Sequence, residues 1–179
     1  MKYIALLRGI NVGGNNKVPM KELKACFEQA GFEQVLTYIN SGNVLFCSEE
    51  RDILRLTQLC EEQIQRQFGF PIRVCLLDAD AYQDAMNHAP HWWGDDPESK
   101  HNLIYVIPPA TAEEVSADVG EIKPEYERLY AYGNVIFWSA QVKTFSRTRW
   151  SKIVGTKAYL NITIRNANTA RRLLELAQS

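Results

Sequence analysis

Two short segments of the chain are nearly identical, and one lies in each half of its length. Residues 42–46 read GNVLF and residues 133–137 read GNVIF, so four of the five positions match. Each segment follows a tyrosine-containing stretch that is typical of a β-strand. Such a repeat limits the possible folds, because the same order of strands and helices is then expected on both sides.

The hydrophobic pattern of the first half predicts the element order β-α-β-β-α-β. Predicted strands occupy 2–8, 34–39, 43–47 and 72–77, and predicted helices occupy 19–30 and about 50–68. The turn Asn40-Ser41-Gly42 joins the second and third strands. This order is the split βαβ pattern of a ferredoxin-like plait.

The pattern restarts after a connector that is rich in proline, glycine and charge. Predicted strands follow at 102–108, 127–132, 134–138 and 161–165, with a short helix at 111–120 and a basic helix from about Ser146 to Lys157. A closing helix begins near Asn166 or Asn168, either of which can cap it. We therefore predict an α+β protein, a tandem duplication of ferredoxin-like (βαββαβ) plaits with an extra C-terminal helix. The predicted domains are 1–88 and 102–179, joined by the connector 89–101.

Composition and cysteine usage indicate a globular protein of the cytoplasm. The chain is 46% hydrophobic with a formal net charge of −1, which argues against disorder and gives no global attraction to nucleic acid or acidic membranes. No apolar run approaches membrane-spanning length. The four cysteines form no CxxC motif and are expected to be reduced thiols. His88, His91 and His101 do not have the spacing of a helical zinc site, so we expect no metal and no cofactor.

The stretch RGINVGGNNKVP, residues 8–19, is the strongest candidate for a ligand-binding loop. Its glycines can present backbone N–H groups, and the predicted helix that follows adds a positive N-terminus. Arg8 and Lys17 can bind an anion. However, Gly9 and Gly14 have the spacing of a P-loop without the Lys-Ser/Thr that should follow. The alternative is that glycine and asparagine simply occupy left-handed turn conformations.

The topology of a plait sharpens this hypothesis. The end of the first strand lies beside the start of the third, so the loop is expected to touch residues 41–43. We predict a binding site for a phosphorylated ligand there, with a contribution from the second half. The predicted ligand-binding residues are Arg8, Gly9, Asn11, Gly13, Gly14, Lys17, Ser41, Gly42, Asn43, Lys152 and Arg165. No catalytic residue is identified, because Ser41 has no histidine nearby in sequence and no GxSxG motif occurs.

The segment 128–174 contains no aspartate or glutamate, although it carries nine lysines and arginines. Aromatic residues are interleaved with these cations, as in surfaces that bind phosphates and stack bases. They are Tyr132, Phe137, Trp138, Phe145, Trp150 and Tyr159. Two alternatives remain open: half of these aromatics face a core, and the basic stretch docks against the more acidic first half. The GNVLF and GNVIF strands also lack the consensus of an RNA-recognition motif.

Three motifs resemble those of an uncharacterised bacterial family, domain of unknown function 1697. They are ALLRGINVGGNNKVPMKELK, TYINSGNVLF and, near the end, SK at 151–152 with TIRNANT at 163–169. The resemblance implies tandem ferredoxin-like plaits and brings no established activity, substrate or cofactor. The family usually has an aromatic residue where this chain has Ala167. If that aromatic stacks on a ligand, this member binds differently; if it only packs, a neighbour such as Trp150 compensates.

The sequence thus leaves three functions open. The first is binding of a phosphorylated ligand, with nucleotide or nucleic acid as the leading candidates. The second is an enzyme that acts on a small phosphorylated substrate and uses the same loop to position it. The third is a structural or protein-interaction module, such as a homodimer formed through sheet edges. No membrane partner is expected.

Overall fold

The computed structural model describes residues 1–179, which form two compact units. The first unit comprises Met1–Gln83 and Leu173–Ser179, and the second comprises Asp84–Arg172. Each contains a four-stranded antiparallel sheet together with helices, so the protein is of mixed α+β class. The domain division predicted from the sequence is the connector 89–101, with the whole closing helix in the second half.

The first unit has the predicted order of elements. Its strands are β1 (Lys2–Leu7), β2 (Glu33–Tyr38), β3 (Asn43–Cys47) and β4 (Val74–Asp78), and its helices are α1 (Met20–Gln29) and α2 (Ile53–Phe68). The helix α3 (Ala79–Asn87), which the sequence analysis did not predict, follows β4. The sheet order is β2-β3-β1-β4, and Leu6 of β1 lies opposite Asn43 of β3. The end of β1 therefore meets the start of β3.

Helices α1 and α2 bury their apolar faces in one shared core. Leu23 and Phe27 of α1 are buried there with Leu56, Cys60 and Ile64 of α2, at the four-residue spacing of amphipathic helices. Alternate residues of β1 complete this core, as the two-residue period of a strand requires; they are Tyr3, Ala5 and Leu7.

The second unit repeats this strand arrangement. Its strands are β5 (Ser99–Val106), β6 (Glu127–Tyr132), β7 (Val135–Gln141) and β8 (Ile162–Asn166), with α4 (Ala112–Val119) after β5 and α5 (Ala167–Gln178) after β8. The sheet order is β6-β7-β5-β8, the equivalent of the first sheet. Asn166 caps α5, because its side-chain Oδ1 accepts a hydrogen bond of 2.8 Å from the Thr169 N–H. β5 begins at Ser99, inside the stretch that the sequence analysis took for the connector.

The predicted basic helix from Ser146 to Lys157 is wrong. Three 3-10 helices occupy this region instead, at Val142–Arg147, Trp150–Gly155 and Lys157–Asn161. Thr148 and Thr156 are extended and end the first two of them. A continuous apolar helical face is not needed, because Trp150 and Ile153 already bury themselves at the three-residue spacing of a 3-10 helix.

A buried carboxylate holds this irregular segment against the sheet. Glu127, at the start of β6, is 3% exposed and accepts hydrogen bonds from the backbone N–H groups of Arg149 and Trp150. It also accepts from the Trp138 indole at 3.0 Å and from the Lys123 N–H at 3.0 Å. Four donors thus satisfy a side chain that would otherwise be costly to bury.

None of the helices combines the length and the apolar composition that crossing a membrane requires.

Candidate functional site

The loop after β1 is a miniature β-hairpin. The Asn11 N–H donates to the Asn16 carbonyl, and the Asn15 N–H donates to the Val12 carbonyl, both at 3.1 Å. The two residues at the tip, Gly13 and Gly14, have φ values of +61° and +78°. Positive φ at both central residues is what a two-residue turn of type I′ requires. Turn geometry therefore accounts for these glycines, which was one of the two alternatives.

Asn11 fastens this hairpin to the turn between β2 and β3. Its Oδ1 accepts from the Val18 N–H at 2.8 Å, and its Nδ2 donates to the Val18 and Asn40 carbonyls at 2.9 Å each. Asn11 itself has φ +55°, a conformation that asparagine tolerates better than most residues. One side chain thus closes the hairpin and ties it to the neighbouring turn.

Gly42 provides the second contact between the two segments. Its carbonyl accepts from the Leu7 N–H at 2.8 Å. A Cβ at this position would lie 2.6 Å from Cδ1 of Ile10, so only glycine permits the observed approach. The hairpin and the 40–43 turn are therefore in direct contact, as expected from the sequence.

A cavity of about 340 Å³ opens beside the hairpin, at the start of α1. It is lined by Asn11, Gly14, Lys17, Val18, Pro19 and Asn40. Pro19 precedes the helix in an extended conformation and offers no side-chain hydrogen bond to the first turn. The first N–H groups of a helix lack intrahelical partners and carry a partial positive charge. The lining of the cavity thus carries an exposed lysine and two asparagine residues, and it ends at Pro19, the residue that precedes α1.

The predicted site residues have different positions around this cavity. Asn11, Gly14 and Lys17 line it. Arg8 and Gly9 lie at the base of the hairpin, where the Arg8 N–H donates to the Arg73 carbonyl and the Gly9 carbonyl accepts from the Asn16 amide. Gly13 is at the exposed tip.

The residues of the neighbouring turn have a structural role in this arrangement. Asn43 is fully buried, and its Nδ2 donates to the Tyr38 carbonyl at 2.9 Å and to the Ser41 Oγ at 3.0 Å. Gly42 is packed under Ile10. Neither lines the cavity, so these residues shape the turn that presents Asn40.

Lys152 and Arg165 belong to the second unit. Lys152 is exposed on the second 3-10 helix. Arg165 is 6% exposed on β8 and donates from Nη1 to the Thr163 Oγ1 at 2.8 Å and to the Ile164 carbonyl at 2.9 Å.

The aromatic residues of the basic stretch are largely core residues. Phe137, Trp138 and Trp150 are buried, and Phe145 packs on Trp138 with ring centroids 5.4 Å apart. Tyr132 stacks on His88 at 3.7 Å. Packing therefore accounts for most of the aromatic pattern, while cations such as Arg147, Arg149, Lys152 and Lys157 remain exposed.

A second polar cavity, of about 430 Å³, lies in the second unit. Inside it, Nδ1 of His101 and Oγ of Ser139 are 2.6 Å apart. The sequence shows no nucleophile beside a base, because these two residues are 38 positions apart and share no local motif. Only the pairing of β5 with β7, which places His101 opposite Ser139, brings them together. The sequence contains one indication of this position: Ser139 continues the predicted strand that begins with GNVIF, and alternate residues of a strand point to the same face.

Asp96 lies at the edge of this second cavity. The pKa of its carboxyl is held below its usual range by hydrogen bonds from the Ser99 hydroxyl and the Glu98 N–H. The same turn presents the Asp96 carbonyl to Nε2 of His101 at 2.8 Å.

Comparisons with known proteins identify relatives without describing an activity. The model of a family described as "Protein of unknown function (DUF1697)" matches residues 1–137. The structure of the conserved bacterial protein SP0830 from Streptococcus pneumoniae is similar to this chain, with a TM-score of 0.88 and 31% sequence identity. That match covers 99% of this chain and 98% of the other. No protein with a curated description matches the chain.

Proposed function

The chain belongs to the DUF1697 family of proteins of unknown function, and from its own geometry we propose that it binds a phosphorylated ligand in the cavity beside α1. A nucleotide or a nucleic acid is the leading candidate. The observation that carries the proposal is the cavity lined by Lys17, Asn11 and Asn40 at an uncapped helix N-terminus.

The binding mode differs from a glycine-rich phosphate cradle. The glycines of the hairpin form its turn, so the phosphate would be bound by the N-terminus of α1 and by the Lys17 ammonium. Val18 is buried and Asn11 is hydrogen-bonded on both sides of its amide, which fixes the wall of the cavity before a ligand enters. A preorganised wall reduces the entropy that binding costs.

The enzyme alternative receives less support from this cavity. Lys17 is the one ionisable side chain that lines it. General acid–base catalysis near neutral pH needs a histidine or carboxyl group within hydrogen-bond reach of the substrate. We therefore propose binding, not turnover, for the cavity beside α1.

A homodimer through the β2 edge of the first sheet is also less favoured. β2 is the edge strand next to β3, and its register shifts between Glu33 and Leu36, with Gln34 at φ +51°. An irregular, bulged edge is a common means of preventing edge-to-edge pairing. The edge strand β2 is thus a poor template for another chain.

We also infer that the two units descend from a duplicated ferredoxin-like plait. The equivalent sheet orders support this, because β3 and β7 occupy the same place in their sheets and carry the GNVLF and GNVIF repeats. In the second copy, the 3-10 segment stands where the first copy has α2. The free thiols of Cys26 and Cys60, both buried, support a location in the reducing cytoplasm.

The proposal is tested by measuring melting temperature and affinity with pyrophosphate, nucleotides and short oligonucleotides at low salt. A ligand that binds the folded state raises the melting temperature in proportion to the logarithm of its concentration. The variant Lys17→Ala should weaken binding by about tenfold or more, since a hydrogen bond to a charged group contributes about 1.5–3 kcal/mol.

Lys24→Ala is the matched control, because it removes the same charge from the exposed face of α1, outside the cavity. Its affinity should stay close to that of the unmodified protein. If none of these compounds shifts the melting temperature, or if both variants weaken binding equally, the cavity beside α1 is not the phosphate site.

A further inference from the structure

The second unit places a serine, a histidine and an arginine side by side on three neighbouring strands. Ser139 of β7 lies opposite His101 of β5 on one side and opposite Arg128 of β6 on the other. Directly opposed residues of antiparallel strands point to the same face of the sheet. Trp138 and Ala140 belong to the core on the other face, so Ser139 points away from that core. All three side chains line the 430 Å³ cavity.

The hydrogen bonds of His101 define its tautomer. Its Nε2 is 2.8 Å from the Asp96 carbonyl oxygen, which can only accept, so Nε2 carries the proton. Its Nδ1 therefore presents a lone pair, and the Ser139 hydroxyl donates to it across 2.6 Å. A nucleophile bonded to a base that a third group orients is the arrangement by which serine is activated. Here the third group is a carbonyl of the 96–99 turn, which the Ser99 N–H also binds.

The walls of this cavity favour an uncharged substrate with a flat or apolar group. Trp92 and Tyr126 are partly exposed and line it, which provides aromatic surface. Four carboxyl-bearing residues are on the lining as well, and they oppose an anionic substrate; they are Asp95, Asp96, Glu125 and Glu127. Arg128 is the one arginine or lysine on the lining, on the strand next to Ser139.

We propose that Ser139 is an acyl-accepting nucleophile with His101 as its general base, and that the cavity hydrolyses small uncharged esters. Oγ of Ser139 attacks the carbonyl carbon as its proton passes to Nδ1 of His101. The negative charge on the carbonyl oxygen of the tetrahedral intermediate is stabilised by Arg128. The ester C–O bond then breaks, and the alcohol leaves with the proton from His101.

The second half of the reaction restores the serine. Water attacks the acyl-Ser139 carbonyl carbon and gives a proton to Nδ1 of His101. Collapse of the intermediate releases the carboxylic acid, and the proton on His101 returns to Oγ of Ser139. No oxidant, reductant or metal enters this balance. The reaction is independent of the phosphate site proposed in the first unit.

The experiment combines covalent labelling with hydrolysis of p-nitrophenyl acetate and butyrate. The full-length protein is treated with a fluorophosphonate, and intact and peptide masses are measured. We expect one label per chain, located on Ser139, and a burst of p-nitrophenol equal to the protein concentration. Labelling of the unmodified protein needs no variant to fold, so its absence would overturn the proposal directly.

Variants then assign the roles. Ser139→Ala should abolish labelling and the burst, and His101→Gln should slow both by at least about 100-fold, the usual contribution of a general base. Ser146→Ala, at an exposed serine of the same unit, should leave both unchanged. A structural pair alone would give no label on the unmodified protein and a lower melting temperature for Ser139→Ala, and this result refutes the catalytic assignment. Persistent labelling of Ser139→Ala refutes it too.

Discussion

Replacing Gly42 by alanine tests how closely the hairpin and the 40–43 turn must approach. Gly42 has φ +77°, which costs a residue with a Cβ about 1–2 kcal/mol. The new Cβ would also lie 2.6 Å from Cδ1 of Ile10 and 2.8 Å from Cβ of Leu7. Relieving such overlap in a packed site costs typically about 1–3 kcal/mol. We expect Gly42→Ala to destabilise the protein by about 2–5 kcal/mol.

Comparison with Gly13→Ala separates the steric cost of Gly42→Ala from its conformational cost. Gly13 has φ +61°, but a Cβ there meets nothing within 4 Å. It should therefore cost only the conformational term of about 1–2 kcal/mol. Thermal or urea denaturation of both variants gives the difference, and each kcal/mol corresponds to about 2–4 °C in melting temperature for a chain of this size.

Shortening the Ile10 side chain tests whether steric overlap explains the larger destabilisation by Gly42→Ala. Ile10→Val removes Cδ1, the nearest atom, while Cβ of Leu7 stays in place. Gly42→Ala combined with Ile10→Val should thus be more stable than the sum of the single variants predicts, by about 1 kcal/mol. Equal destabilisation by Gly42→Ala and Gly13→Ala, with no coupling to Ile10, would refute the close approach of the two segments.

Three further changes probe the remainder of the molecule. Glu127→Gln should destabilise by about 2–4 kcal/mol, because an amide cannot accept all four hydrogen bonds and turns its own N–H groups toward donors; a loss under 1 kcal/mol in urea denaturation would contradict this. Burial raises the pKa of the Cys26 thiol to about 11 and that of Cys60 to about 12. Unfolding therefore releases protons above about pH 9, and the melting temperature should fall from there toward pH 11, whereas a flat profile would refute the shifts. Thr111→Ala removes a capping box and should cost about 1 kcal/mol, seen as a lower melting temperature.

Local patterns predicted most of the regular structure because periodicity reports which face is buried. The strands around GNVLF and GNVIF, the helix after Pro19 and the helix ending at Gly69 all have such a signal. The segment 142–161 has no comparable period, since its conformation depends on the carboxylate of Glu127. Glu127 is 22 positions from Arg149, whose N–H group donates to it. A contact over that distance produces no local sequence pattern.

The candidate sites likewise have some features that the sequence predicts and others that it does not. The contact between the hairpin and the 40–43 turn was predictable, because pairing of β1 with β3 follows from the topology. The specific partners, Asn11 with Asn40 and Gly42 with Ile10, depend on side-chain geometry. The Ser139–His101 pair was not predictable, since it needs the exact register of β5 against β7, and a shift by one residue would turn Ser139 to the other face.

The acid-free stretch 128–174 is bound by carboxylates that lie outside it in the sequence. Two carboxylates from outside it bind its backbone, since Glu127 accepts from the Arg149 N–H and Asp118 accepts from the Ala158 N–H at 2.6 Å. Two others, Asp95 and Glu98, pair with the cations of Arg171 and Lys143. The exposed cations Arg147, Arg149, Lys152 and Lys157 therefore keep their positive charge toward solvent. A salt-sensitive attraction to polyanions is expected from this surface alone. Retention on heparin consequently supports the phosphate site beside α1 only to the extent that Lys17→Ala reduces it more than Lys24→Ala does.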